Sequence, residues 1–171
     1  MEITIVITLL ALFAALIIPN LASEKSGREA RQFFVKARNL MLEAKTRAMT
    51  DGSTRTIRLD DTEGRLVVEK VSAASSNSDE ERTTSEEKTL DLPDGVTGST
   101  FRVEKDDSTS AEWDIRFFAD GKARAGGVSF STNGRIISLT VDKDGVVKKI
   151  DGPLPDATDE TWDAGGFEQR V

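Results

Sequence analysis

Histidine, cysteine and tyrosine are all absent from the 171 residues, so any chemistry here must rest on carboxylates, lysines and arginines. Without histidine the commonest general base and the usual zinc ligand are missing. Without cysteine there is neither a thiolate nor a disulfide framework, and the redox compartment cannot be read from thiols. Ser-His-Asp and Cys-His catalysis and most transition-metal sites are thereby excluded, while paired-carboxylate or lysine chemistry stays formally open. Four groups of charged residues remain. Glu2 stands alone at the head of MEITIVITLLALFAALIIPNL. Asp142-Lys143-Asp144-Gly145 resembles a fragment of a calcium loop but lacks a third acid before the glycine and a closing bidentate glutamate, so a polar β-turn is the better account. Asp156, Asp159, Glu160 and Asp163 are dense enough to gather around a cation, yet nothing fixes a ligand geometry and a solvated acidic tail is expected. Arg28, Arg31, Lys36, Arg38, Lys45 and Arg47 form a basic stripe, which either touches phosphate or lines a solvated face that meets acids of neighbours. The solvated face is expected. No Gly-rich phosphate loop or nucleotide fingerprint argues for an ATPase. The sequence predicts no enzyme, no cofactor and no metal.

The setting of Glu2 is the most informative. From Ile3 to Ile18 there is no charge, and only Thr4 and Thr8 interrupt the aliphatic and aromatic side chains. As a helix, Ile3 to Leu21 would reach roughly 28 Å, close to the hydrocarbon thickness of a bilayer. An acid at bilayer depth costs on the order of 2.5–3.5 kcal/mol on insertion scales, so a partner for it should be sought. Pro19 and Asn20 follow seventeen and eighteen residues after Glu2. A cleaved secretory signal would want a basic n-region and a small-residue cleavage site. Lys25, Arg28 and Arg31 follow the span, and the positive-inside rule applied to them alone would put the bulk of the chain in the cytoplasm. A basic leader upstream would resolve that.

Charge is unevenly spread over a net −7: residues 23–59 carry nine bases against four acids, residues 60–112 six against fifteen, and residues 113–171 eight against ten. A basic stalk followed by an acidic middle suits head-to-flank stacking of subunits.

The elements that must position these groups are legible from period. Phe33, Ala37, Leu40, Met41, Ala44 and Ala48 recur at steps of three and four, giving an amphipathic helix from Glu24 to about Met49. Asp51-Gly52 supplies its stop. Together with the apolar run this predicts one helix of about 48 residues, bent at Pro19. Thereafter the period is two. Thr54–Leu59 and Arg65–Val71 form a hairpin around the turn 61–64. Residues 72–88 are dense in Ser, Thr and acid and are expected to form a flexible acidic loop. A short strand at Lys88–Leu92 follows, then strands at Thr100–Glu104 and Glu112–Phe118 around the loop Lys105–Ser110. Asn133-Gly134 is a two-residue hairpin signal joining Gly127–Ser131 to Arg135–Val141, and the 142–145 turn leads to Val146–Ile150. The last three strands should lie as a meander against the amphipathic half of the helix. Beyond Asp151 an irregular acidic tail is expected, with Trp162 and Phe167 available to pin it. The fold class is therefore α+β: a long N-terminal helix, hydrophobic in residues 1–22 and amphipathic in 23–51, packed on an antiparallel β-sheet domain in 52–171.

Glu2, the aliphatic run and Pro19-Asn20-Leu21 resemble the N-terminal helix of type IV pilins and of the pseudopilins of type II secretion. In that family a Phe-Thr-Leu-x-Glu start precedes a hydrophobic segment with a proline seventeen residues beyond the glutamate. The start differs here, since Met1 directly precedes Glu2, and the resemblance implies a basic leader upstream, cleaved by a prepilin peptidase, and a methylated first residue. Phe117-Phe118-Ala119-Asp120-Gly121, Gly126-Gly127-Val128-Ser129-Phe130, Arg135 to Val141 and Gly145-Val146-Val147 are similar to the C-terminal sheet of H-type minor pseudopilins and FimT-like relatives. About two-thirds of the chain is touched by the likeness, with 72–110 its weakest part.

The resemblance implies a pilin-like fold and a minor pseudopilin, a structural subunit of the periplasmic pseudopilus of a type II protein secretion system. Such a subunit is held in the bacterial inner membrane by one span, with its globular domain in the periplasm, until it joins a hetero-oligomeric filament with other pseudopilins. Glu2 and Pro19 would be the assembly residues. Glu2 would pair with the N-terminal amine of an adjacent subunit, and Pro19 would kink the helix or permit local melting. Secreted cargo is a further partner. Two alternatives remain. One is a FimT-like minor pilin in pilus assembly or DNA uptake, weakened because Arg135, Lys148, Lys149 and Arg170 are the only bases in the C-terminal strands and tail, too few for a concentrated phosphate patch. The other is a single-pass anchored periplasmic binding module.

Overall fold

The computed structural model describes residues 2–71 and 84–155; within the helix, the side chains of Glu2, residues 10–11 and residues 13–25 lie outside the description. One helix, α1 (Glu2–Asp51), is followed by nine strands: β1 (Thr54–Asp60), β2 (Arg65–Val71), β3 (Thr84–Asp91), β4 (Val96–Val103), β5 (Asp106–Ser108), β6 (Asp114–Phe117), β7 (Gly126–Thr132), β8 (Arg135–Val141) and β9 (Val147–Asp151). All strand pairings are antiparallel. The chain is thus α+β, as expected, but its strands divide into two sheets rather than one. They run in the orders β3-β2-β1-β6 and β5-β4-β7-β8-β9.

The helix ends where the sequence predicts. Gly52 adopts φ 65°, the left-handed conformation that terminates helices without a Cβ penalty. The expected apolar stripe is buried in full, and Ala30 and Phe34 join it. Three of its members are alanines (Ala37, Ala44 and Ala48), each at most 2% exposed, which lets the backbone come close to the strands. Phe33, Phe34 and Phe130 meet edge to face at centroid distances of 5.3, 5.4 and 5.8 Å, tying helix to β7.

Most hairpins follow the turn chemistry of the sequence. Asn133 and Gly134 take φ of 47° and 74°, the two positive values of the tight turn that joins β7 to β8. Gly126 allows a close approach of its neighbouring strand: a Cβ there would lie 2.7 Å from the Arg102 carbonyl of β4, and 3.6 Å from the Ile115 side chain of the other sheet. On the opposite face of the five-stranded sheet the chain after β9 crosses back over the strands. Ser138 Oγ donates to the Gly152 carbonyl at 2.6 Å, Leu154 N donates to Ser129 Oγ at 3.2 Å, and Arg102 Nη1 donates to the Pro155 carbonyl.

β3 departs from expectation. It begins at Thr84, inside the stretch read as acidic loop, and pairs Val71 with Thr84 and Arg65 with Asp91 across a bulge at Val68/Glu69. Its side chains are exposed on both faces except for half-buried Glu87 and Leu90. An edge strand without a buried face carries no apolar alternation, which is why period alone could not find it. β4 likewise starts earlier than expected, at Val96, and the loop Lys105–Ser110 contains β5.

Candidate functional site

Two surfaces could carry function: the exposed start of the helix, Ile3 to Leu12, and the seam where its second half meets the sheets. Glu2 opens α1 and Pro19 lies within its span, so the helix is assigned through both positions; their side chains lie outside the described residues. Of the apolar run, Ile3, Ile5, Val6, Ile7, Leu9 and Leu12 are described, and all are between 52% and 76% exposed. Large aliphatic side chains left bare over three helical turns are an unmet hydrophobic surface, each worth about 1.5–3 kcal/mol on full burial. Among the described residues no helix is long and apolar enough to cross a membrane.

Among the described side chains the helix meets the sheets from Ser26 onward, where Asn133 Nδ2 donates to Ser26 Oγ at 3.0 Å. Its C-terminal end is clamped by two turns that the sequence singled out. Lys45 Nζ donates to the Asp144 carbonyl at 2.8 Å, and Met49 packs over Gly121 of the 118–121 turn. The 142–145 segment is the polar turn expected: Asp142 Oδ1 accepts from Asp144 N at 3.1 Å and Val146 N at 2.8 Å, and Gly145 N donates to the Asp142 carbonyl at 2.9 Å. Asp142 Oδ2 is buried without a hydrogen-bond partner. Among the described residues no group of three acids is placed to hold a metal ion. Asp156, Asp159, Glu160, Asp163, Trp162, Phe167 and Arg170 lie outside the described residues.

The basic stripe is split by its surroundings. Arg28, Arg31, Lys36, Arg38 and Arg47 are exposed, with Lys45 half-buried on its turn. Arg47 pairs with Glu43 at 2.7 Å, and Glu43 in turn accepts from Lys88 Nζ on β3 at 2.6 Å. The Lys88 hydrogen bond, with the charges of Lys88 and Arg47, holds the Glu43 carboxyl below the usual carboxylate range against the opposing effect of desolvation. Arg38 has a different environment. With Phe34 and Val35 it lines a groove of about 430 Å³ between the helix and β9, whose other wall is Val147, Lys148 and Lys149. Lys149 is paired with Asp151 at 3.0 Å, but neither Arg38 nor Lys148 has an ion-pair partner among the described residues.

One site residue escaped the sequence. Arg55 is 1% exposed and joins three elements: its Nε and Nη2 donate to Glu87 of β3 at 2.8 and 3.1 Å, and Nη2 also donates to Asp51 at the helix end. Burial works against its charge, but the hydrogen bonds to Glu87 and Asp51 outweigh it and raise the guanidinium above its ordinary value. The signal was present in β1, where period two puts Arg55 on the face of Ile57 and Leu59.

Comparison with solved structures places this fold. The chain is similar to the minor pseudopilin EpsH from the type 2 secretion system of Vibrio cholerae in two structures. They agree at 14% and 15% identity with TM-scores of 0.55 and 0.52, each covering 75% of this chain and 99% or 98% of the other. It is also similar to the type IV minor pilin FimU of Pseudomonas aeruginosa, at 14% identity and a TM-score of 0.50 over 71% of this chain and 87% of that one. No protein-family model matches the sequence, and no curated protein does. At these identities the likeness establishes a pilin-like fold.

Proposed function

We propose that this chain is a minor subunit of a pilin-like filament, most like the H-type minor pseudopilin of a type II secretion system. The observation that carries the proposal is the bare aliphatic surface of the first helical half, Ile3 to Leu12, on a molecule whose buried side chains all lie between Ala30 and Leu154 among the described residues. A helix of this kind needs lipid or other helices of its kind. Before assembly it would sit in the inner membrane by residues 1–22 with the sheets in the periplasm, and after assembly its first half would bundle with those of other pseudopilins. Glu2 would pair with the N-terminal amine of an adjacent subunit. An unpaired carboxylate in that apolar surround would be heavily penalised, so the pairing sets the axial register. Pro19 would allow the helix to bend or melt locally on entry to the filament. The work is mechanical, extension of the filament against secreted cargo, and no residue is assigned a catalytic role.

The fold likeness to FimU supports a second reading, a minor subunit of a type IV pilus. One experiment addresses both. The full chain, expressed behind a prepilin leader in a host carrying either a secretion or a pilus system, is cross-linked in the membrane and its partners identified. Cross-links to pseudopilins that are lost in Glu2→Ala support the first reading, and cross-links to pilins the second. A chain that stays solitary, with Glu2→Ala indistinguishable from the parent, sinks both and favours an anchored binding module.

A further inference from the structure

The five-stranded sheet ends in two edges of opposite charge. At the β5 edge Glu104, Asp106 and Asp107 are exposed, with Lys105 the one base among them. At the β9 edge Lys148 and Lys149 are exposed beside Arg38 of the helix, with Asp151 the one acid. Neither edge strand has a second neighbour among the described residues. Part of this charge is met within the molecule: Asp107 by Arg102 at 2.8 Å, Lys149 by Asp151 at 3.0 Å, and Glu104 loosely by Arg124 at 3.7 Å. Arg38, Lys148 and Asp106 have no ion-pair partner among the described residues.

The two edges cannot satisfy each other within one copy. Asp107, Arg102, Gly127, Thr140 and Lys148 are partners in turn across the sheet. Acid and base of that row therefore stand four strand spacings apart. At about 4.8 Å a spacing this is roughly 19 Å, about two Debye lengths at physiological ionic strength. Like edges cannot meet either. Groove against groove sets Arg38 and Lys148 against their own copies, and β5 against β5 does the same to its acids. Only unlike edges attract, and in copies of common orientation such a contact does not close, since each copy leaves one acidic and one basic edge open. The groove floor of Phe34, Val35 and Val147 can take what ends and follows β5, because Ser108-Thr109-Ser110-Ala111 are all small. Sheet twist of about 20–25° per strand turns β5 roughly 80–100° from β9, so the contact is made by side chains and not by continuing one ladder.

We propose that the α1–β9 groove is the docking surface for the β5 edge of a second copy of this chain, whose Glu104 and Asp106 lie beside Arg38 and Lys148. The inference rests on the filament reading for the common orientation of the copies. To the bundling of helices it adds a heterologous contact between sheets, whose charges select which flank of one copy faces the next.

Because the sequence has no cysteine, single thiols can report the contact in the full chain, kept in non-ionic detergent at low salt. One chain carries Ser108→Cys at the end of β5, and another Val146→Cys beside the groove, where the native side chain is 41% exposed. A short bis-maleimide is expected to join the two in a mixture and to join neither chain to itself, with a yield that salt lowers. Arg38→Glu with Lys148→Glu in the Val146→Cys chain should abolish the dimer. So should Glu104→Lys with Asp106→Lys in the Ser108→Cys chain. Mixing the two reversed chains should restore it, which no loss of folding can imitate. Dimers of either chain with itself as abundant as the mixed dimer overturn the proposal, the contact then being isologous or non-specific. A mixed dimer that survives either reversal overturns it too. An Ile7→Cys chain in the same detergent reports the helix bundle separately. Dimers through position 7 without dimers linking 108 to 146 overturn the docking surface and leave the filament reading standing, whereas absence of both overturns both. Duplex DNA bound by the parent and released by Arg38→Glu with Lys148→Glu, without a mixed dimer, gives the groove to nucleic acid and overturns the proposal.

Discussion

Arg55 and Glu87 face each other across the four-stranded sheet in a two-point contact, Nε to Oε2 at 2.8 Å and Nη2 to Oε1 at 3.1 Å, with Arg55 1% exposed. This contact holds a strand that has little else to hold it. β3 gives the core only partly buried Leu90 and pairs with β2 alone. Lys88 reaches Glu43 on the helix, and Glu86 lies 3.7 Å from Arg65, so β3 is fastened mainly by side-chain charge.

Arg55→Ala is therefore expected to destabilise the fold by about 2–4 kcal/mol, near the range for breaking a buried pair and tempered because Glu87 keeps some contact with water. Arg55→Met, which fills the space, should lose less, with Glu87→Gln restoring part of the loss in the double variant. Urea unfolding followed by far-UV circular dichroism measures all three. Equal stability of Arg55→Ala and the parent would mean that the pair contributes nothing to β3.

Glu43 gives stability a small acid limb. Its carboxyl is held below its ordinary value of 4.5, chiefly by the Lys88 hydrogen bond. A depressed carboxyl stabilises fully above the unfolded pKa, and that contribution disappears as pH falls through the lower folded value. Both side chains are over a third exposed, so the contribution is a few tenths of a kcal/mol, screened by salt. Glu43→Gln should therefore flatten the fall in stability below about pH 4.5 and leave the alkaline side unchanged, and added salt should shrink the difference between the two chains.

Gly145 carries a heavier demand than the other turn glycines. It sits at φ 68°, and a Cβ there would lie 2.8 Å from the Gly121 carbonyl and 3.0 Å from Lys45 Cε. At Gly134, with φ 74°, a Cβ would meet nothing within 4 Å. Gly134→Ala should cost about 1–2 kcal/mol from the left-handed backbone alone, and Gly145→Ala about that much plus the displacement of the helix clamp. Thermal unfolding of the two variants separates the terms, and equal losses would show that the 142–145 turn can move off the helix freely.

The sequence read best where a periodic face is buried and worst where charge replaces burial. The stripe from Phe33 to Ala48, the Gly52 stop and the Asn133-Gly134 hairpin are local patterns, each set by a residue's own geometry. β7 and β8 were placed within a residue because each buries one face. β3 was missed at its start because Thr84 to Lys88 has no apolar face, only partners from β1, β2 and the helix that no local window contains. The division into two sheets was also hidden, since β6 pairs with β1 and β4 with β7, partners far apart in the chain. Of the candidate site, the apolar run and the basic stripe were evident, but the groove was not. Arg38 and Lys148 are more than a hundred residues apart, and nothing local marks them as neighbours. The placing of Glu2 and Pro19 as assembly residues rests on the family resemblance and their spacing.

The first helical half should be separable from the rest by mutation. Ile5 and Leu9 are 63% and 52% exposed, one turn apart on the helix. Replacing both by serine removes apolar surface that touches no described part of the sheets. The unfolding free energy of the sheets, followed through buried Trp113, should then stay within about 0.5 kcal/mol of the parent, as for surface substitutions generally. Association with other helices of this kind should weaken, because no described part of the chain buries these side chains. Cross-linking of the full chain in detergent, at matched protein-to-detergent ratio, measures the second quantity on the same sample. If instead the double variant unfolds as easily as Arg55→Ala while association is unchanged, the helix start packs on its own molecule and the filament proposal loses its footing.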